Sequence, residues 1–139
     1  MPVQAPPQHP AKSLEPPLEV LEKLGLDRRK CLRGTGIMLS QLENPKSRLT
    51  FQQELAFYRN ARELSGDPLI GLKLGEPFIP QRYGLFGYAL LSASTLRRAM
   101  RVAVNFGQLT FSFFSFDYGE SGPHGWFSMQ DPPPVEPLL

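Results

Sequence analysis

The sequence is short of cysteine and histidine. It has one cysteine, Cys31, and two histidines, His9 and His124. A lone cysteine excludes an intrachain disulfide. Two histidines so far apart in sequence offer no Cys/His metal spacing, so neither a metal nor a cofactor is expected. Net charge is missing as well. Lys and Arg number 15 against 13 Asp and Glu, which leaves +2. That balance argues against bulk attraction to nucleic acid or to an anionic membrane. Long apolar runs are also absent. Stretches such as Tyr88-Ala89-Leu90-Leu91 fall far short of the roughly 20 residues that span a bilayer. Residues 1–17 have neither a basic n-region nor an apolar h-region, so no secretory leader is read there and a cytoplasmic location is expected.

The common catalytic signatures are lacking too. No strand leads into G-x-G-x-x-G, and Gly84-Leu85-Phe86-Gly87 is too short and opens an apolar helix. There is no Walker lysine, H-E-x-x-H or EF-hand loop. A Ser-His-Asp arrangement would depend on His124, which follows Pro123 in a turn. No catalytic residue is assigned, and the protein is not expected to be an enzyme. Cys31 lies among Arg29, Lys30 and Arg33, a context that lowers a thiol pKa where it is exposed. A small, half-buried helix residue is the favoured reading.

What is abundant is proline, with 15 residues unevenly spread. Six lie in the first 17 positions and four in the last eight. Residues 1–17 are therefore expected to form a disordered, partly polyproline arm, and 132–139 a Pro-rich tail or loop. Between them, residues 18–131 are long enough for one folded domain.

The helical pattern is strong. Leu18, Leu21, Leu24 and Leu26 recur at helical spacing, with Gly25 as a stop. Asp27 caps a short helix over 28–32, and residues 35–48 read as a loop anchored by Ile37, Leu39 and Leu42. Thr50 and Gln53 predict a capping box for a helix over 50–65. Its apolar stripe is Phe51, Leu55, Tyr58, Ala61 and Leu64, and Gly66 closes it. Asp67-Pro68 opens the next helix, over 68–74. Residues 85–91 are apolar nearly all round, which predicts a buried helix. Ser94 is read as the cap of a helix over 95–109, with Leu96, Ala99, Ala103 and Phe106 inward and Arg97, Arg98 and Arg101 outward. Aromatic alternation then marks a strand around Phe114, Phe116 and Tyr118, with Phe111 and Phe113 out of phase as in a bulge. Residues 124–130 complete a hairpin. The fold class is α+β, four to five helices followed by an antiparallel β-hairpin. A hairpin alone is marginally stable, so the sheet reads as the start of something larger.

Ten Phe, four Tyr and one Trp supply apolar walls, mostly as core. The residues suited to a small-molecule pocket are Tyr83, Tyr88, Phe106, Phe114, Phe116 and Trp126, with Arg101 placed to meet a carboxylate. The basic runs at Arg28, Arg29, Lys30 and Arg33, and at Arg97, Arg98 and Arg101, read as solvated faces.

Three stretches together resemble one family. L-E-K-L-G-L-D at 21–27 resembles the opening helix and stop of the sensing domains of AraC-type bacterial regulators, in the branch that includes ornithine-utilisation and quorum regulators. A-R-E-L-S-G-D-P-L-I-G-L-K-L at 61–74 resembles the branch's G-D-P signature. Y-G-L-F-G-Y-A-L-L-S-A-S-T-L-R-R-A at 83–99 resembles its G-x-L-G-Y-A…T-L segment. The resemblance spans about 18–109. Arg97-Arg98 departs from it, standing where an acidic residue is common, and so does the Gly-Thr-Gly stretch within 31–40.

The resemblance implies a domain that senses a small effector and forms a homodimer or a heterodimer with another regulator. DNA is then bound only through a C-terminal helix-turn-helix domain that this sequence lacks. Members continue beyond this length, so 18–131 is expected to be a partial sensing domain and 132–139 an internal loop. Two rivals are kept: a stand-alone interaction module that heterodimerises with full-length regulators, and a small Cys31-dependent enzyme.

Overall fold

The computed structural model describes residues 8–107, 110 and 113–130. The chain forms two compact units that divide between Phe78 and Ile79. The mixed helix-and-strand class and the C-terminal hairpin are as expected. Among the described residues there are seven α-helices and two two-stranded antiparallel sheets.

The first unit begins where a disordered arm was expected. β1 (Gln8–Pro10) pairs antiparallel with β2 (Arg48–Thr50), His9 opposite Leu49. A 3-10 turn (Ala11–Leu14) leads into α1 (Glu15–Lys23). The prolines do not oppose this order. Pro16 and Pro17 occupy the first turn of α1, where a missing N–H breaks no helical bond. Ala11, Leu14 and Pro17 are fully buried, and that burial offsets the ordering entropy that composition alone left uncompensated. Residues 1–7 of the expected arm lie outside the described residues.

α1 ends as expected at Gly25, with φ +84°. Gly25 N–H donates to Glu22 C=O at 2.9 Å and Leu26 N–H to Leu21 C=O at 3.0 Å, a Schellman motif. α2 (Arg28–Leu32) is capped by Asp27, whose Oδ1 accepts from Lys30 N–H at 3.0 Å. Arg28 is not a free solvated charge. Its guanidinium pairs with Glu15 at 3.0 Å and Glu22 at 3.1 Å, tying α2 to α1.

Residues 35–48 are more ordered than a loop, because they contain α3 (Leu39–Glu43) and the start of β2. Too few residues recur in either segment to show a period.

α4 (Phe51–Ser65) opens on the expected capping box. Gln53 N–H donates to Thr50 Oγ1 at 3.3 Å, and Thr50 N–H to Gln53 Oε1 at 3.0 Å. Its buried centre is Phe57 with Ala61, whereas Leu64 at the edge of the expected stripe is exposed. The stripe is rotated because α2, β2 and the following helix all pack on α4. His9 Nδ1 lies 2.9 Å from Glu54 Oε2, bringing the N-terminal strand to the same helix. Asn60 on α4 donates from Nδ2 to the carbonyls of Cys31 and Arg33, at 2.9 and 2.8 Å, and so closes the end of α2.

α5 (Ile70–Gly75) buries Ile70 and Leu74, four apart, and leaves Leu69 and Leu72 exposed. Asp67 opens the turn before it, accepting from Leu69 N–H at 2.9 Å. The buried side chains of these elements form one continuous core.

The second unit is built differently. A 3-10 turn (Pro80–Tyr83) precedes α6 (Gly84–Leu91) and α7 (Leu96–Phe106). α6 was expected to be buried, yet Leu85 is 89% exposed and Tyr88 and Leu91 are exposed too. Within this unit α6 packs mainly on the 3-10 turn and α7, which together cover only part of an all-apolar surface. Gly87 is the buried point, set directly against the carbonyl of Pro80. α7 is capped by Thr95, one residue later than Ser94, with Arg98 N–H donating to Thr95 Oγ1 at 3.2 Å. Leu96 and Phe106, expected to face inward, are exposed. Residues 108 and 109 at the expected end of this helix lie outside the described residues, as do Phe111 of the expected bulge and the Pro-rich end 132–139.

β3 (Ser115–Ser121) and β4 (His124–Gln130) pair in register from Ser115 opposite Gln130 to Ser121 opposite His124. The linking turn is Gly122-Pro123, with Gly122 at φ +59°. Glycine first and proline second suits a type II′ turn, whose twist matches the strands. Phe116, Tyr118, Phe127 and Met129 share one face, and Phe116 stacks on Phe127 with ring centroids 5.7 Å apart.

Candidate functional site

The chemistry-bearing side chains of the second unit meet where α7 packs on β3. Strand alternation places Phe116, Tyr118 and Glu120 on the face toward α7, while helical spacing aligns Arg97, Arg101 and Asn105 on one side of the helix. Between them runs an open groove of about 290 Å3, lined by Arg101, Val104, Asn105, Tyr118, Gly119 and Glu120.

One end is fastened by an ion pair. Arg97 Nε donates to Glu120 Oε1 at 2.6 Å, and Tyr118 Oη donates to the same carboxylate oxygen. These contacts hold the Glu120 carboxyl below its ordinary value, the Tyr118 hydrogen bond contributing most and Arg97 next. The Tyr118 hydroxyl is correspondingly pushed up, chiefly by its bond to Glu120. Glycine closes the other contact: a Cβ on Gly107 would stand 3.0 Å from the Phe116 ring, so the end of α7 lies close on β3. The groove is polar on both walls, with Val104 as its aliphatic patch. Among the described residues no cluster of His, Cys, Asp and Glu could hold a metal ion, and no helix is long and apolar enough to cross a membrane.

Comparison with known proteins decides the family. The arabinose-binding domain of AraC transcription regulators, N-terminal, matches residues 25–138. The chain belongs to that family. It is 28% identical over 97 residues to the ornithine utilization regulator of Pseudomonas aeruginosa, covering 70% of this chain and 29% of that protein. It is 31% identical over 111 residues to an HTH-type transcriptional regulator of Mycobacterium tuberculosis, covering 79% of this chain and 32% of that one. A Mycobacterium bovis regulator matches to the same extent. The chain thus spans about a third of the length of the curated relatives it matches.

Of the seven residues singled out for a pocket, this AraC-type domain brings Arg101 alone into the groove. Phe116 lies beside it, half-buried beneath Gly107 and stacked on Phe127. Phe114 is half-buried just before β3. Trp126 is on the opposite face of the hairpin, half-exposed over Gly119. Tyr88 and Phe106 are exposed on α6 and α7. Tyr83 packs edge-on against Phe86, centroids 6.5 Å apart, and its burial pushes the phenol up to about 12.

The lining residues that sequence reading missed are Val104, Asn105, Tyr118, Gly119 and Glu120. The signal for them was the i, i+4 series of Arg97, Arg101 and Asn105, whose polar side had been read as solvated. Cys31, weighed as an activated thiol, is fully buried in the first unit. Burial, and secondarily Asp27, push its thiol up, opposite to what the neighbouring basic residues suggested.

Proposed function

We propose that this chain is the effector-sensing and dimerisation portion of an AraC-type transcription regulator, acting in the cytoplasm on a small molecule. DNA is then bound by a helix-turn-helix domain outside these residues. The family match over residues 25–138 carries the reading. The relatives support it, since one is named for ornithine utilization and the others as HTH-type regulators. The α7–β3 groove supplies a place for the effector, with Arg101 in its wall. Dimerisation is supported by the second unit's exposed apolar side chains, among them Leu85, Tyr88, Leu96 and Met129, because such surfaces mark interaction sites. No catalytic step is assigned. The one thiol is buried, with its pKa raised, a structural environment rather than a nucleophilic one.

The same exposed side chains favour a second reading, a stand-alone module that heterodimerises with full-length regulators. Light scattering after size exclusion, run on the chain alone and mixed with a full-length relative, separates the two. Self-association supports the first reading, and a complex formed only with the relative supports the second. A chain that stays monomeric and ignores the relative removes both. Tight, sequence-specific binding in a gel shift by residues 1–139 alone overturns the assignment of DNA contact to another domain.

A further inference from the structure

We propose that the α7–β3 groove takes a small carboxylic acid, with Arg101 and Asn105 as the pair that holds its carboxylate. The inference rests on the effector-sensing reading and narrows it to a ligand class.

The argument is one of uncommitted groups. α7 carries three arginines. Arg97 is spent on Glu120 at 2.6 Å, and Arg98 donates to Ser94 Oγ at 3.2 Å. Among the described residues the Arg101 and Asn105 side chains make no hydrogen bond or direct ion pair, and both line the groove; Arg101 acts on Glu120 only through space, as the weakest influence on that carboxyl. One helical turn sets them on the same face. Opposite them, Tyr118 has donated its hydroxyl to Glu120, and the Glu120 charge is already met by Arg97. Among the described residues the groove therefore presents one guanidinium and one amide without a hydrogen-bond partner, facing a strand wall whose carboxylate is bonded to Arg97 and Tyr118.

A guanidinium offers parallel N–H donors in a planar fork that fits the two oxygens of a carboxylate, and an amide N–H can add a further bond. A cation without a carboxylate would meet the Arg101 guanidinium in the groove wall, while the Glu120 carboxylate opposite is already bonded to Arg97 and Tyr118. The groove measures about 290 Å3, near the lower end of ligand sites, and Val104 and the Tyr118 ring offer a surface for the apolar part of a small acid.

Titration calorimetry on the 139-residue chain tests this with benzoate, its neutral isostere benzamide, and inorganic phosphate. Benzoate is expected to bind saturably, and benzamide at least about tenfold more weakly, since the charge-assisted bonds are lost. Arg101→Gln should weaken benzoate by a similar factor, and Arg101→Lys should restore only part, because lysine keeps the charge without the fork. Arg101 is exposed and its side chain makes no hydrogen bond among the described residues, so Arg101→Gln should melt like the parent; if it does not fold, Asn105→Ala carries the same test with a smaller loss. Equal binding of benzamide and benzoate overturns the proposal. So does tighter binding of phosphate, no benzoate binding, or benzoate affinity unchanged in Arg101→Gln. The broader sensing reading fails in a different way. In that case no sugar, amine or acid raises the melting temperature of the chain, whereas a sugar or amine that stabilises parent and Arg101→Gln alike defeats only the carboxylate assignment.

Discussion

Gly119 and Trp126 are register partners across the C-terminal hairpin, and the indole occupies the space into which a side chain on residue 119 would project. The Trp126 ring shields the β3 backbone where glycine leaves it bare, a cross-strand arrangement that pins register. Gly119→Val should therefore displace the indole and destabilise the hairpin by about 1–3 kcal/mol, the usual effect of overpacking. Trp126 is the sole tryptophan, so its emission should shift toward that of a solvated indole. Unchanged emission and melting would refute the packing.

Two helical glycines should respond in opposite ways to alanine. Gly87 on α6 faces the Pro80 carbonyl, which a Cβ would overlap. Gly87→Ala is expected to force α6 away from the 3-10 turn and lower the melting temperature. Gly71 on α5 has open space, and alanine is the better helix former there. Gly71→Ala should stabilise by up to about 1 kcal/mol. Thermal melts of both variants check the contrast.

Acid and alkali should loosen the α7–β3 contact for different reasons. The folded-state Glu120 carboxyl lies below its ordinary value of 4.5, so its contribution is whole above that pH and is lost as pH falls through the lower folded value. Tyr118 is raised from 10.0, so its contribution is whole below that pH and is lost as pH rises through the folded value. Glu120→Gln should flatten the acid limb of a stability profile and Tyr118→Phe the alkaline limb. Because the Arg97–Glu120 pair is exposed, added salt should shrink the acid effect. Superimposable profiles would count against the network.

Cys31 should be chemically quiet. Its burial and raised pKa leave little accessible thiolate. Alkylation at pH 8 should be slow on the native chain and rapid in guanidinium. Rapid stoichiometric labelling of the native protein would reopen a chemical role for this thiol.

How far the sequence was legible depended on range. The capping box of Thr50 and Gln53, the cap at Asp27 and the stop at Gly25 were read correctly because each is decided within about five residues. The pairing of His9 with Leu49 was not read, because three-residue strands 40 positions apart leave no local period. Arg101 was singled out as a carboxylate partner. Tyr118 and Glu120 were missed because α7 and β3 meet only through tertiary packing.

The sequence by itself determined the helices with strong caps, the apolar hairpin strands and the family signature, since these depend on neighbours along the chain. Tertiary structure decided the rest. Leu14 and Pro17 are buried because the 3-10 turn and α1 pack into the core of the first unit, while Leu85 and Tyr88 stay exposed because little of the described part of their own unit packs on α6. Burial depends on what a surface meets, and composition records only what that surface is.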